Sequence, residues 1–407
     1  MAPLLTYLSL ALFAFSEARP QQSAPSSITS ASPSPSTSAT ADSLTEDEQE
    51  ELFDLHEKLV DIPSISGEEA EVAKFVEEYL TELGYYVETV EVEEGRNNVF
   101  AYPQALKGEG KWPETLVTSH LDTVGPHISF ERREKNGTMY HYGRGTVDAK
   151  GCVAAGIVAA HKFIESRDDT PSLGLLFVVG EETGGDGMKA FAEYAQNSTF
   201  RAGIFGEPTE GNLAEAHKGS YRFTLQADGV AAHSAYPHLG VSALNWLVEA
   251  IVALNKGEEA LPWSDLLGNS TLNFGVMNAG VAANVVPESA NASAAIRIAN
   301  GTTEDIEEIL TRAVQPVIDR AESAGANLTI TFADVGYGAQ ILDTDVPGLD
   351  KAVMAYGTDI PSLPQVEKRY LYGTGSIHTA HSIREELSQD QLVQMADAYG
   401  VILAHLF

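Results

Sequence analysis

The sequence is short of cysteine and of positive charge. Cys152 is the only cysteine among 407 residues, so no disulfide can form within the chain. Because no activating base lies near it in sequence, we expect a buried structural thiol. Lysine and arginine together number 25 against 58 aspartates and glutamates, which gives a formal net charge of −33. Such a surface repels phosphate groups, which disfavours nucleic acid and anionic membranes as partners, and we expect neither.

The N-terminal apolar run, Leu4–Phe15, is too short to span a bilayer. It has the length of a secretory signal core, and we predict a signal peptide over residues 1–18, then a disordered Ser/Pro-rich leader over residues 19–43. Sequons of the N-x-S/T type agree with secretion and predict glycosylation at Asn136, Asn197, Asn269, Asn291, Asn300 and Asn327. The sequence therefore predicts a secreted, extracellular glycoprotein with no membrane attachment after signal cleavage.

The order of elements predicts two domains. Residues 44–215 alternate strand and helix, which indicates an α/β domain with a mostly parallel sheet and helices on both faces, and residues 332–407 are expected to complete it. Residues 216–331 instead read β-α-β-β-α-β, the order of a small ferredoxin-like α+β domain inserted into the first. In the first helix, His56 is expected on the surface.

Metal-ligating and acidic side chains follow several of the predicted strands. Because ligands bind at the carboxyl ends of the strands in such sheets, these side chains are expected to meet there. Imidazole and carboxylate groups together suit a hydrolytic site with two divalent ions. The side chains concerned are His120, Asp122, Glu181, Glu182 and Glu207.

Two assignments stay open at this point: the role of Asp148, and which of two C-terminal histidines is a ligand. Asp148 precedes a predicted helix, so it is either an N-terminal cap or a carboxylate that bridges two ions roughly 3.5–4 Å apart. In the segment GTGSIHTAH, the spacing alone does not choose between His378 and His381 as a ligand.

The motifs TSHLDTV, GRGTVDAKG, GEETGGDG, GEPTEG and GTGSIHTAH, in this order, resemble the two-zinc family of aminoacylases, acetylornithine deacetylases and glutamate-type carboxypeptidases. A secreted fungal-type carboxypeptidase looks most similar among its members. The resemblance covers nearly all of residues 45–407 and implies a zinc exopeptidase-like fold in which residues 216–331 form a lid. It also implies a homodimer through the lid. The sequence departs from the family pattern in the turn GTGS, where relatives often have GPGS.

Site roles follow from this resemblance. It implies two Zn²⁺ per chain, with Co²⁺ or Mn²⁺ as substitutes: His120 and Glu207 hold one ion, Glu182 and His381 the other, and Asp148 bridges them. Glu181 would be the general base and Asp122 would orient His120. The lid would contribute His233 to the oxyanion, while the substrate contacts would be Asn284, Arg297, Gly373, Thr374 and Gly375.

The activity expected from the resemblance is hydrolysis of an amide bond next to a free carboxylate, in a peptide substrate. An N-acyl-amino-acid deacylase is the alternative, since the chemistry is shared and only the pocket differs. A non-catalytic metal-binding glycoprotein is a third reading. The presence of Glu181 beside the five ligands argues against it, because a binding protein needs no base.

Overall fold

The computed structural model describes residues 43–407, so the predicted signal and almost all of the predicted leader lie outside the described residues. These residues belong to one compact unit. Eight α-helices occur within them: α1 (Glu46–Asp61), α2 (Ala70–Glu82), α3 (Gln104–Gly108), α4 (Lys150–Glu165), α5 (Asp186–Tyr194), α6 (Ala243–Gly257), α7 (Thr303–Ser323) and α8 (Gln389–Leu406). None of them combines the length and the apolar composition that a membrane-spanning helix requires.

The same residues form twenty strands, several of them very short. The first ten are β1 (Tyr85–Glu93), β2 (Arg96–Pro103), β3 (Thr115–His120), β4 (Glu131–Lys135), β5 (Thr138–Tyr142), β6 (Leu173–Val178), β7 (Phe200–Gly206), β8 (Leu213–His217), β9 (Gly219–Asp228) and β10 (Ala232–His233). The others are β11 (Trp263–Ser264), β12 (Gly268–Asn269), β13 (Thr271–Ala279), β14 (Val285–Val286), β15 (Ser289–Ile298), β16 (Asn327–Phe332), β17 (Gln340–Ile341), β18 (Lys351–Met354), β19 (Val366–Tyr372) and β20 (Glu386–Ser388).

A six-stranded sheet forms the centre of the larger domain, in the order β1-β2-β6-β3-β7-β19. Strands β6, β3, β7 and β19 are parallel to one another, whereas β1 and β2 pair antiparallel at one edge. Every residue of β3 and β6 is buried, because helices cover both faces of the sheet. Helices α1, α2, α4 and α8 pack on one face, and α5 packs on the other. The predicted fold class is confirmed.

The second sheet has the order β13-β15-β9-β16, and all its pairs are antiparallel. Alternate residues of β9 and β15 are buried, since one face of this sheet packs against α6 and α7. The predicted β-α-β-β-α-β order is observed for β9, α6, β13, β15, α7 and β16. The sheet begins at Gly219, immediately after β8, which pairs with strands of the larger domain.

His56 contradicts the expectation of a surface position. Its side chain is fully buried in α1, and its Nδ1 lies 2.9 Å from Nδ1 of His141, with the two rings stacked. The prediction was wrong because the exposed face of an amphipathic helix cannot be assigned from sequence when β5, which carries His141, returns from a distant part of the chain to cover it. Cys152, by contrast, is buried in α4 as predicted.

Candidate functional site

Three adjacent parallel strands end at the same place and carry the central polar side chains. Strand β3 ends in His120, Glu181 and Glu182 follow β6, and Glu207 follows β7. Since β3 lies between β6 and β7, these side chains meet at one edge of the sheet. His120 is almost fully buried, and its Nε2 lies 3.7 Å from Oε1 of Glu207.

Asp148 stands just before α4 and contacts two histidines, one through each carboxylate oxygen. Its Oδ1 lies 3.1 Å from Nε2 of His120, and its Oδ2 lies 3.1 Å from Nε2 of His381. The same His381 nitrogen is 2.9 Å from Oε1 of Glu182. A carboxylate that offers one oxygen to each side has the geometry that a bridging ligand needs.

The structure distinguishes between His381 and His378 as candidate ligands. His381 joins the cluster, and its backbone is in the left-handed region, with φ of 61°. A histidine in this region is uncommon and is often held there for a functional reason. His378 is exposed, and its backbone N–H is bonded to Ser376. The structure therefore brings His381 to the cluster and leaves His378 outside it.

Asp122 fixes the segment that carries the two glutamates. Its carboxylate accepts the backbone N–H groups of Glu181 at 3.0 Å and Glu182 at 3.1 Å, and the hydroxyl of Ser66 at 2.7 Å. The nearest group to Nδ1 of His120 is the carbonyl oxygen of Asp122 at 2.9 Å, while its carboxylate lies 3.6 Å away. Asp122 thus positions both glutamates as well as the imidazole.

Glu385 was missed by the sequence analysis. Its Oε1 accepts backbone N–H groups from Gly145, Val147 and Asp148 at 2.9 to 3.2 Å, and its Oε2 pairs with Arg144 at 2.6 Å. Both side chains of this pair are nearly fully buried. Glu385 lies four residues after His381, so it ties the Asp148 segment to the His381 segment. The only sequence signal was a glutamate shortly after the last histidine.

The cluster attracts positive charge. Burial raises the pKa of the Glu181 and Glu207 carboxyls well above their usual range. Hydrogen bonds to Asp148 and Glu182 raise the pKa of His381 to about 10. Burial opposes protonation of His120, but the charge of Glu207 and the bonds to Asp122 and Asp148 raise its pKa well above the usual value. Carboxylates gathered around two imidazoles are the donor set that divalent zinc accepts, so these residues fit a metal centre.

Two overlapping groups of donor atoms lie within 4.8 Å of one another: His120, Asp148 and Glu182 in one, and His120, Glu181 and Glu207 in the other. This grouping differs from the short contacts, which associate Glu182 with His381 rather than with His120. The short contacts define the pairing more closely, because two ligands of one ion must face the same point, whereas atoms 4.8 Å apart can face adjacent ions.

A cleft of about 460 Å³ opens above the cluster and is walled on the other side by the lid. Arg297 lines it together with Asp148, Glu181 and His381. The guanidinium of Arg297 has no hydrogen bond or ion pair with any residue in 43–407. Asp359, also missed from sequence, lines the cleft with a buried Oδ2 that has no partner among those residues.

Other predicted substrate contacts lie elsewhere. His233 and Asn284 are exposed and are not among the residues that line the cleft; His233 belongs to the short ladder of β10 and β14, and the carbonyl of Asn284 accepts the N–H of Ser234. Gly373, Thr374 and Gly375 are buried. The Gly373 N–H bonds to the Thr209 hydroxyl, and the Thr374 hydroxyl bonds to the carbonyl of Gln391. The roles of these five residues stay predictions.

Comparison with known proteins agrees with this architecture. Residues 216–322 match the peptidase dimerisation domain. A probable carboxypeptidase of Aspergillus niger is 42% identical over 375 residues, covering 86% of this chain and 89% of that protein. Among solved structures, a tripeptidase of Staphylococcus aureus has a TM-score of 0.71 at 20% identity, covering 88% of this chain and 98% of its own.

An M20 family metallo-carboxypeptidase of Sulfolobus solfataricus has a TM-score of 0.67 at 17% identity, with 87% of this chain and 98% of that chain covered. The structural likenesses show the shared fold, and the level of identity to the Aspergillus niger protein shows the family. The chain therefore belongs to the M20 family of metallopeptidases and is a hydrolase.

Proposed function

We propose that this protein is a zinc-dependent exopeptidase that hydrolyses the amide bond next to a free C-terminal carboxylate, as a carboxypeptidase or dipeptidase does. The observation that carries the proposal is the unpaired guanidinium of Arg297 in the same cleft as the metal-ligating cluster. Guanidinium binds carboxylate through two parallel hydrogen bonds. The names of the similar proteins, probable carboxypeptidase and metallo-carboxypeptidase, support this reading.

The proposed metal centre uses the five side chains of the cluster. His120 and Glu207 would hold one zinc ion, Glu182 and His381 the other, and Asp148 would bridge them. The contacts of the two Asp148 oxygens, one to each imidazole at 3.1 Å, support this division. When bound, two such ions lower the pKa of a coordinated water and stabilise negative charge on a carbonyl oxygen.

Glu181 is the base in this proposal. Its carboxylate is partly buried at the floor of the cleft, and the hydrogen bond from its own N–H to Asp122 holds its backbone in place. It would take a proton from the attacking water and deliver it to the leaving amine. Arg297 would hold the substrate so that its scissile carbonyl lies over the cluster.

We also propose a homodimer through the lid. His233 and Asn284 lie outside the cleft of their own chain, so a second copy is the simplest way to bring them to substrate. Val248 and Val252 on α6 and Val276 and Met277 on β13 are exposed, which gives the lid an apolar surface suited to such contact.

Secretion and glycosylation remain part of the proposal. All six sequon asparagines are exposed, so each is accessible for modification. Expression with the native N-terminus in a eukaryotic secretory host, followed by glycosidase treatment, tests both. A mass shift on deglycosylation of medium-derived protein is expected, whereas retention in the cell without glycans would contradict the proposal.

Activity is tested by loading the purified chain with Zn²⁺ and measuring kcat/KM on dipeptides, on their C-terminal amides, and on N-acetyl amino acids. Hydrolysis of dipeptides with at least about tenfold preference over the amides is expected, since a hydrogen bond to a charged group contributes about 1.5–3 kcal/mol. Exclusive hydrolysis of N-acetyl amino acids would instead identify a deacylase, and activity on none of the three would refute the proposal.

A further inference from the structure

Asp359 is a buried carboxylate without a positive partner. Other buried carboxylates of the larger domain are paired: Glu69 contacts Arg96, and Glu385 contacts Arg144. Asp359 is only 8% exposed, yet its Oδ2 has no hydrogen-bond partner and its carboxylate forms no ion pair within residues 43–407. Because burying such a group without a partner is costly, its presence needs an explanation.

Helix capping does not supply that explanation. Asp359 directly precedes a single 3₁₀ turn, Ile360–Ser362, at the position where an aspartate usually caps a helix. Its side chain makes no capping hydrogen bond there. Burial raises the pKa of Asp359 to about 7, although the charge of His120 acts in the opposite direction. A positive group placed next to this carboxylate would stabilise its ionised form.

The surroundings of Asp359 form an open pocket at the side of the cleft. Asp359, Gly185 and Ser362 all line the cleft. A Cβ atom on Gly185 would lie 3.5 Å from Cβ of Asp359 and 3.6 Å from Oγ of Ser362, so the glycine leaves the space between them free. The Ser362 hydroxyl also has no partner within residues 43–407. A carboxylate and a hydroxyl around one open space are acceptors suited to an ammonium or guanidinium group.

The pocket lies close to Arg297. Gly357, two residues before Asp359, packs against this arginine, since a Cβ atom on Gly357 would lie 3.2 Å from its Nη1. Two residues of chain span at most about 7 Å. With the α-carboxylate of a substrate on Arg297, as proposed above, Asp359 lies beside the side chain of the same C-terminal residue. Lys189 lines the same cleft, but it pairs with Asp186 and leaves the pocket free.

We propose that Asp359 is a specificity residue that binds the cationic side chain of a C-terminal lysine or arginine, with Ser362 accepting a second hydrogen bond from the same group. This inference rests on the proposed exopeptidase function and names its preferred substrate class. A cationic substrate supplies the charge that the buried carboxylate lacks, whereas a neutral substrate leaves that carboxylate uncompensated. The pocket therefore discriminates by the charge of the side chain rather than by its length.

The test compares two side chains of similar length that differ in charge. With the zinc-loaded full chain, kcat/KM for Ala-Lys should exceed that for Ala-norleucine at least about tenfold. Asp359→Asn should lower kcat/KM for Ala-Lys about 10- to 100-fold and leave Ala-norleucine within about twofold. The matched control is Asp265→Asn, which removes an exposed acidic residue outside the cleft and should change neither rate.

Two other results would overturn the assignment while leaving the exopeptidase proposal intact. Equal wild-type rates on Ala-Lys and Ala-norleucine would show that the pocket does not read side-chain charge. An equal loss on both substrates in Asp359→Asn would mean that the carboxylate acts elsewhere. N-acetyl-Ala-norleucine then distinguishes the alternatives: if Asp359 binds the substrate's N-terminal ammonium instead, acetylation should slow the wild type and not the variant.

Binding of the free products tests the same discrimination without turnover. Titration calorimetry should give tighter binding of lysine than of norleucine, by about tenfold, and Asp359→Asn should remove the difference. The two amino acids share the α-carboxylate and α-ammonium, so the comparison isolates the side-chain charge. Equal affinities in the wild type would refute the inference whatever the turnover results.

Discussion

The floor of the cleft and the lid above it differ in whether their polar side chains have hydrogen-bond or ion-pair partners within the protein. On the floor, His120, Asp148, Glu182 and His381 contact one another, and Asp122 and Glu385 hold the segments that carry them. On the lid, Arg222 and Arg297 have no such contact with any residue in 43–407, and His233 is exposed.

This difference indicates that the floor and the lid have separate roles. Side chains held by several fixed partners are preorganised, which is what metal binding and proton transfer require. Side chains without partners can respond to a ligand, because substrate supplies the missing charges when it binds. We therefore propose that the floor carries out chemistry common to many substrates and that the lid and Asp359 select among them. Variants of the floor, of its supports and of the lid test this difference separately.

The largest effect is expected at the base. Glu181→Gln should lower kcat about 10²- to 10⁴-fold while leaving the zinc content unchanged, because the proposed role of Glu181 is proton transfer and not metal binding. Metal analysis and kinetics on the same sample check this. The matched control is Glu182→Gln at the neighbouring position, which should lose metal as well as activity. If Glu181→Gln lost metal and Glu182→Gln kept it, the two roles would be reversed.

Removing a ligand should affect metal and rate together. His381→Ala is expected to lose one of two zinc ions and at least about 10² in kcat/KM, because Asp148 and Glu182 lose the imidazole that they share. His378→Ala, three residues earlier and exposed, should retain both ions and nearly full activity. The opposite pattern would show that the ligand is His378.

A variant of Glu385 tests whether zinc binding at the floor of the cleft depends on the side chains that hold the Asp148 segment in place. Glu385→Gln should weaken zinc binding about 10- to 100-fold, because the hydrogen bonds that orient the Asp148 segment lose a charged acceptor. Competition with a chelator, below the melting temperature, measures the affinity. The double variant Arg144→Met/Glu385→Gln avoids leaving an unpaired buried charge. If both variants melted lower but bound zinc like the wild type, Glu385 would support the fold only.

The buried histidine pair should affect stability rather than activity. Burial lowers the pKa of His141 to about 4 and that of His56 well below its usual value. The folded state thus keeps both neutral while the unfolded chain takes up protons near pH 6.5, so stability is lost as the pH falls from about 6.5 towards 4. Each histidine contributes at most about 1.4 kcal/mol per pH unit.

Thermal unfolding of the wild type and of His141→Asn between pH 7 and pH 4.5 checks this effect. Because both proteins carry the same surface carboxylates, the difference between their stability curves reports on the histidine pair. The variant should lose less stability on acidification. His238→Asn, which removes an exposed histidine, should follow the wild type. Parallel curves for His141→Asn and the wild type would mean that the pair does not resist protonation.

Much of the floor could be predicted from the sequence because its residues follow buried apolar strands. Continuous apolar runs located β3, β6 and β7, and the rule that ligands bind at the carboxyl ends of parallel strands then brought His120, Glu181 and Glu207 together. The lid order was predictable for a similar reason, since its strands alternate and its helices have one apolar face.

The rest depended on contacts between distant segments. Glu385 reaches Asp148 across 237 positions of sequence, and no local pattern signals that contact. His56 was misjudged because burial of its helix face is decided by β5, far along the chain. Arg222 has an ordinary position in an alternating strand, and only the structure shows that it lines the cleft.

The most direct test of the division between floor and lid uses one variant, Arg297→Met, with zinc content and kinetics measured on the same preparation. The wild-type zinc content should be kept, while kcat/KM for a dipeptide falls by about 10²-fold and that for its C-terminal amide changes little, so that the preference for the free carboxylate disappears. Loss of zinc, or an equal fall on the acid and the amide, would contradict the account, because Arg297 would then belong to the floor or to the general fold rather than to carboxylate recognition.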